Sequence, residues 1–252
     1  MNFSANLGFL WTELALADAI RAAKKSGFDA VECHWPFDEP VEEVKAALLE
    51  TELTMLGLNT RRGDVAAGDT GLAAVPGREA EARAAIDEAL DYGLAIGAGA
   101  VHVMAGRADG DKARATFLEN LDYACTQAPG DMTILIEPLN PHDAPGYFLS
   151  TTDAAAELIG DLDHPRLKLM FDCYHVARGE GDVIAKVNAL MPIIGHIQFA
   201  GVPGRGAPDL GEIAYSAVFA AIRDAGWTAP LGAEYKPGGP TEASLAWMKK
   251  LR

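Results

Sequence analysis

Glu137, Asp172, Gln198 and Glu234 each close a short apolar run of the chain: TILI, LKLMF, IIGHI and PLGA. Runs of this length and composition read as buried strands, so four successive strands finish in an oxygen donor. If those ends converge on one mouth, three carboxylates and an amide share a single point. Three anions gathered out of water are costly and take up protons unless a cation lies among them. A divalent metal ion resolves that cost, and an all-oxygen set favours a hard ion, Mg2+ or Mn2+, over zinc. Gln198 is then a neutral oxygen ligand, which accounts for an amide inside the apolar segment GHIQFAG. Taken singly, each residue is equally compatible with a strand that simply ends at a solvated rim. Four in succession fit that description less well.

The elements that must position these side chains follow from alternation along the chain. Strand-like runs lie at 2–7, 30–35, 54–59, 100–106, 133–139, 167–172, 193–200 and 229–235, eight in all. Between them lie helical stretches. In LALADAIRAAKKSG, Leu16, Ile20 and Ala23 share one face while Lys24 and Lys25 face solvent, and Gly27 supplies a stop. Further helices are expected at 41–51, 79–96, 112–127, 152–160, 182–190, 214–225 and 241–251. Eight strand–helix units with strands apolar throughout predict a single (β/α)8 TIM barrel over residues 1–252. A doubly wound open sheet is the alternative. Its phosphate-binding turn has one candidate, GAG at 97–99, which precedes a strand instead of following one and lacks the third glycine. Two long irregular segments, 60–78 and 201–212, follow strands and precede helices. In a barrel they belong to the catalytic face and are expected to cover substrate.

Composition narrows the function classes. Hydrophobic residues make up 49% of the chain, enough for a sizeable core, and 21 Lys and Arg stand against 36 Asp and Glu. The net charge of −15, without basic clusters beyond adjacent pairs, counts against nucleic acid and anionic membranes as partners. Cys33, Cys125 and Cys173 have no CxxC spacing, so a reducing cytoplasm is expected. The first positive side chain is Arg21 and no apolar run reaches the ~18 residues of a spanning helix, so neither a secretory signal nor a membrane span is expected. Acidity and a helical exterior allow a monomer or a symmetric oligomer.

Specific motifs then run through nearly the whole length in order: FSANL at 3–7, AAGD at 66–69, PGRE at 76–79, LIEPLN at 135–140, DCYH at 172–175, IIGHIQ at 193–198, GEI at 211–213 and EYKP at 234–237. With these the chain resembles the hydroxypyruvate isomerases, within the xylose isomerase-like barrels that also include ketose 3-epimerases, 2-oxo-tetronate isomerases and endonuclease IV-type nucleases. The resemblance implies one divalent metal held by Glu137, Asp172, Gln198 and Glu234, with Glu137 and Glu234 as the proton-transferring pair. It also implies that His175 holds substrate oxygens, as the histidine three residues after the metal-binding aspartate does in the epimerases. The implied reaction converts hydroxypyruvate to tartronate semialdehyde through an enediolate, with a 2-oxo-tetronate or a ketose as the substrate of a close variant. A non-catalytic sugar-acid-binding barrel would not need both glutamates. A nuclease is disfavoured by the charge and by six histidines without an HxH pair.

Other residues carry less decisive chemistry. Arg205 and the pair Arg61–Arg62 are candidates for gripping a substrate carboxylate, because a guanidinium binds one bidentately. Arg205 resembles a family position, whereas Arg61–Arg62 does not match the loop of the bacterial hydroxypyruvate isomerases and is equally compatible with a solvated pair. Lys236, two residues beyond Glu234, is either a substrate contact or an ion-pair partner. Glu32 and His34 alternate on the second strand and either enter the barrel functionally or serve as satisfied core groups. His102, inside a predicted strand, is expected to be structural. Cys173 is expected to face away from Asp172, and Trp11 and Trp35 to pack as aromatic core.

Overall fold

A computed structural model describes residues 1–252. Its strands are β1 (Phe3–Asn6), β2 (Ala30–Glu32), β3 (Thr54–Met55), β4 (Leu58–Asn59), β5 (Ala100–His102), β6 (Thr133–Ile136), β7 (Leu167–Asp172), β8 (Ile194–Phe199) and β9 (Leu231–Ala233). The expected third strand is split at Leu56–Gly57, and this split is where the sheet closes. All neighbours pair in parallel in the order β3-β2-β1-β9-β8-β7-β6-β5-β4, so the two ends of the list are halves of one run. Leu56 N–H donates to Val31 O and Gly99 N–H to Met55 O, one bond to each side. The sheet therefore has no free edge, and the (β/α)8 barrel expected from the alternation is the fold.

The helices are α1 (Leu16–Lys25), α2 (Val41–Thr51), α3 (Glu79–Ile96), α4 (Gly110–Gln127), α5 (Thr152–Leu162), α6 (Cys173–Gly179), α7 (Val183–Leu190), α8 (Tyr215–Asp224) and α9 (Met248–Leu251). Two differ from the sequence expectation. Helix α6 was not foreseen. Asp172 caps it by accepting Tyr174 N–H at 2.8 Å, so the last residue of β7 also starts a helix. The expected helix at 241–251 is a 3-10 helix over Thr241–Trp247 followed by α9. Ser244 Oγ donates to Thr241 O in that segment, and Thr241 Oγ1 accepts Trp11 N–H, which ties the tight turn to the first βα loop. No helix is long and apolar enough to cross a membrane.

Strand periodicity sorts the core into two compartments. Phe3, Ala5, Val31, Val101, Ile134, Ile136, Leu169, Phe171, Ile197, Phe199 and Ala233 belong to the large apolar cluster that joins strands to helices. Phe3, Phe199, Phe219 and Trp247 form its aromatic centre, with ring centroids 4.9–5.8 Å apart. The alternate residues face the barrel interior, since successive strand side chains point to opposite faces. Towards the floor they form a separate apolar cluster of Ala100, Leu135 and Met170. Above it they are polar: Asn6, Glu32, His102, Asp172, His196 and Gln198, all buried.

Candidate active site

The carboxyl ends of β6 to β9 bring Glu137, Asp172, Gln198 and Glu234 to one mouth, each between 2% and 7% exposed. Asp172 and Gln198 are direct register partners on β7 and β8. Glu137, Asp172 and His175 offer ligand atoms within 4.8 Å of one another. Glu234 joins them through Arg205, whose Nη2 donates to Glu234 Oε2 and lies 3.5 Å from Asp172 Oδ2. The loop 201–212 carries Arg205 inward, where its guanidinium lies 4.9 Å from the Phe9 ring centroid and 5.1 Å from that of Tyr174. Lys236 N–H fixes the loop by donating to Arg205 O at 2.7 Å, but the Lys236 side chain is exposed and does not join the cluster.

The surroundings push the two glutamates in opposite directions. Burial, then the charges of Glu234 and Asp172, raise Glu137 well above the ordinary carboxylate range. Burial works the same way on Glu234, but Arg205 and His34 outweigh it and bring Glu234 down to about 2. Asp172 is raised to about 7, with burial exceeding the opposing effect of Arg205. His175 is lowered to about 3 by burial and by Arg205, so its ring is neutral. Its Nδ1 accepts Asn140 N–H at 3.0 Å, which puts the ring proton on Nε2, 3.7 Å from Asp172 Oδ2 and 3.9 Å from Glu137 Oε1. That N–H has no hydrogen-bond partner among the protein groups and, carrying its proton, has no lone pair to give a metal.

Sequence reasoning missed part of this site. His102 ends β5 instead of lying within a longer strand, and its buried ring places Nδ1 3.7 Å from Glu137 Oε2. His34 Nε2 lies 2.9 Å from Glu234 Oε1, and Asn6 Nδ2 donates to both Glu234 Oε1 and Glu32 Oε1. The signal available was parity, because polar residues at alternate positions of a buried strand share the interior face. Arg61 pairs with Glu88 and Asp38, away from the acids, while Arg62 stacks 3.8 Å from the Trp35 ring centroid. Trp11 packs on Phe28 and donates to Glu242, outside the mouth. Cys173 is buried in the main core, as expected, and burial raises its thiol well above the usual range.

The donor chemistry fits a hard cation. Glu137 Oε1 and Gln198 Oε1 are buried and accept no hydrogen bond, a costly state that a cation among them would relieve. Arg205 is the one fully charged cation touching Asp172 and Glu234.

The (β/α)8 barrel gathers these side chains at its carboxyl mouth, the end where enzymes of this fold carry their active sites. The profile of the xylose isomerase-like TIM barrel family matches residues 20–251, and the chain belongs to that family. It is 44% identical to the 2-oxo-tetronate isomerase of Cupriavidus necator over 252 residues, 98% of this chain and 97% of that one. It is 37% identical to the hydroxypyruvate isomerase of Escherichia coli over 257 residues, covering all of both chains. A crystal structure titled AP endonuclease, family 2, from Brucella melitensis superposes with a TM-score of 0.95 at 35% identity, covering 100% of this chain and 99% of that one. The full-length likeness to named isomerases makes this chain an isomerase.

Proposed function

We propose that the chain moves the carbonyl of a small hydroxy-oxo acid between adjacent carbons, converting a 3-hydroxy-2-oxo acid to a 2-hydroxy-3-oxo acid. Hydroxypyruvate, giving tartronate semialdehyde, is the first assignment. A 2-oxo-tetronate undergoes the same change one carbon longer, and the name of the 44% identical relative favours it as the second. The observation that carries the reading is the pair of buried glutamates, Glu137 and Glu234, at one mouth with Arg205 bound to Glu234 and not to Glu137, an arrangement that lets two carboxylates take different roles in acid–base exchange.

In this mechanism Glu234, the ionised member, takes the proton from C3 of the substrate. Glu137 returns a proton at C2 through the carboxyl oxygen that does not face the cation, Oε1 being the one turned to it. The hydroxyl on C3 loses its proton as the new carbonyl forms, and the old carbonyl oxygen gains one. His175 Nε2–H donates to a substrate oxygen. Arg205 holds Glu234 ionised and keeps its unpaired Nε for the substrate carboxylate. Glu137, Asp172, Gln198 and Glu234 would hold a divalent ion, Mg2+ or Mn2+, which would supply positive charge to polarise the substrate carbonyl.

The endonuclease title of the Brucella melitensis structure suggests a different activity, but a net charge of −15 opposes a nucleic-acid substrate. The experiment is proton NMR in D2O with Mg2+ or Mn2+ and each acid in turn. Product carrying one deuterium at the newly formed carbinol carbon, lost with EDTA and in Glu137→Gln and Glu234→Gln, is the expected result. Full turnover in both variants would overturn the proton-transfer assignment.

A further inference from the structure

Beneath the four-residue cluster lies a second polar layer centred on Glu32. Glu32, 3% exposed on β2, projects into the barrel and accepts three hydrogen bonds: from Asn6 Nδ2 at 3.0 Å, Gln198 Nε2 at 2.7 Å and His196 Nε2 at 2.8 Å. Gly232, the register partner of Gln198 on β9, makes room for it. A Cβ at 232 would fall 2.6 and 2.7 Å from the two Glu32 oxygens and 2.9 Å from Gln198 Cγ. The carboxylate therefore occupies a place cleared for it by a missing side chain.

The chemistry of that contact decides which way the Gln198 amide faces. A side-chain amide is nearly symmetric in shape, with a donor at one end and an acceptor at the other. An ionised carboxylate only accepts, so the end of Gln198 that meets Glu32 has to be the NH2. The carbonyl oxygen is then turned away, and it is one of the two buried oxygens at the mouth that accept no hydrogen bond. The same logic fixes Asn6, whose Nδ2 bridges Glu32 and Glu234 while its Oδ1 accepts Gly8 N–H at 3.0 Å.

We infer that Glu32 is a positioning residue, which orients the Gln198 amide so that its oxygen is presented to a divalent cation shared with Glu137 and Asp172. The inference rests on Gln198 being a ligand, as in the proposed function. Outer partners that orient ligands typically change metal affinity by about 10–100-fold when removed.

The test is a double-mutant cycle read by Mn2+ affinity, from electron paramagnetic resonance of the free ion, with melting of the metal-free proteins recorded alongside. Glu32→Gln can donate or accept and leaves the Gln198 amide free to turn. It is expected to weaken Mn2+ binding by about 10–100-fold. In a Gln198→Ala background the same change is expected to alter binding by less than about 2-fold, because the group it acts on is gone. An equal loss in both backgrounds means that Glu32 acts through charge or general stability, and overturns the inference. If Gln198→Ala alone binds Mn2+ as the wild type does, the ligand assignment fails and this inference with it. Should Glu32→Gln fail to fold, the exchange Glu32→Gln with Gln198→Glu keeps one amide and one carboxylate face to face. A carboxylate at 198 needs no orientation, so that variant is expected to bind Mn2+; a folded exchange variant without Mn2+ binding also overturns the inference.

Discussion

Replacing Gly232 by alanine is expected to damage the interior far more than one methyl group ordinarily would. The added Cβ would sit 2.6 and 2.7 Å from the Glu32 oxygens, where a C···O contact needs about 3.3 Å, so the carboxylate must retreat by roughly 0.6 Å. The strand cannot yield instead, because Gly232 is held in register by Ser4 on one side and Gln198 on the other. Glu32 cannot retreat without stretching its bonds to Asn6, Gln198 and His196, now 2.7–3.0 Å. Losing one such bond to a charged group, together with overpacking, amounts to roughly 2–4 kcal/mol. For a chain of this length that lowers the melting midpoint by roughly 4–16 °C. Urea unfolding of metal-free protein is the assay. Gly160→Ala in helix α5 is the matched control: nothing lies within 4 Å of the new Cβ and the position is helical, so it should gain about 0.5–1 kcal/mol. If Gly232→Ala stays within about 0.5 kcal/mol of the wild type, as ordinary surface changes do, the close approach is not rigid and the reasoning fails.

The remaining expectations concern the metal, pH and Arg205. Mn2+ at a hundred times its dissociation constant should stabilise the protein by about 2.7 kcal/mol, raising the melting midpoint by about 5–10 °C; no shift with Mn2+ or Mg2+ would remove the cation from the site. Burial disfavours charge on both His196 and Glu32, but their mutual attraction outweighs it, raising the imidazole and lowering the carboxylate. The His196 contribution to stability is complete below the ordinary imidazole value and lost as pH rises through its raised one. The Glu32 contribution is complete above the ordinary carboxylate value and lost as pH falls through its lowered one. In metal-free urea titrations, the stability gap between wild type and His196→Asn should therefore narrow as pH rises; a constant gap across about pH 5 to 9 would refute the pair. Arg205→Lys keeps the charge beside Glu234 and Asp172 but loses the planar fork. It should lower kcat/KM by about 10–100-fold, chiefly through KM, and an unchanged KM would end its assignment to the substrate carboxylate.

Much of the barrel was legible before any coordinates. The eight strand runs are found, α2 and α3 occupy the expected spans, and the four oxygen donors stand at the ends of the last four strands. These are local properties: period-two apolar runs, helical periodicity, and a polar residue where an apolar run stops. The missed helix α6 has a local signal too, an aspartate positioned to cap, but Asp172 also ends a strand and the two readings compete. The end of β5 at His102 was not legible because three further apolar residues, Val103, Met104 and Ala105, extend the run beyond the point where pairing stops.

The sequence by itself determined where the strands lie and that the last four end in an oxygen-bearing residue, because apolar runs and the polar residues that stop them are local features. Only the tertiary structure decided how those strands meet. The split at Leu56–Gly57 closes the sheet, and closure is what brings Asn6 and Glu32 from the first two strands against Gln198 and Glu234 from the last two. Proton affinities were decided there as well. Glu137 and Glu234 are the same residue type at equivalent strand ends and burial raises both; what separates them is Arg205 and His34, which bind Glu234 and not Glu137.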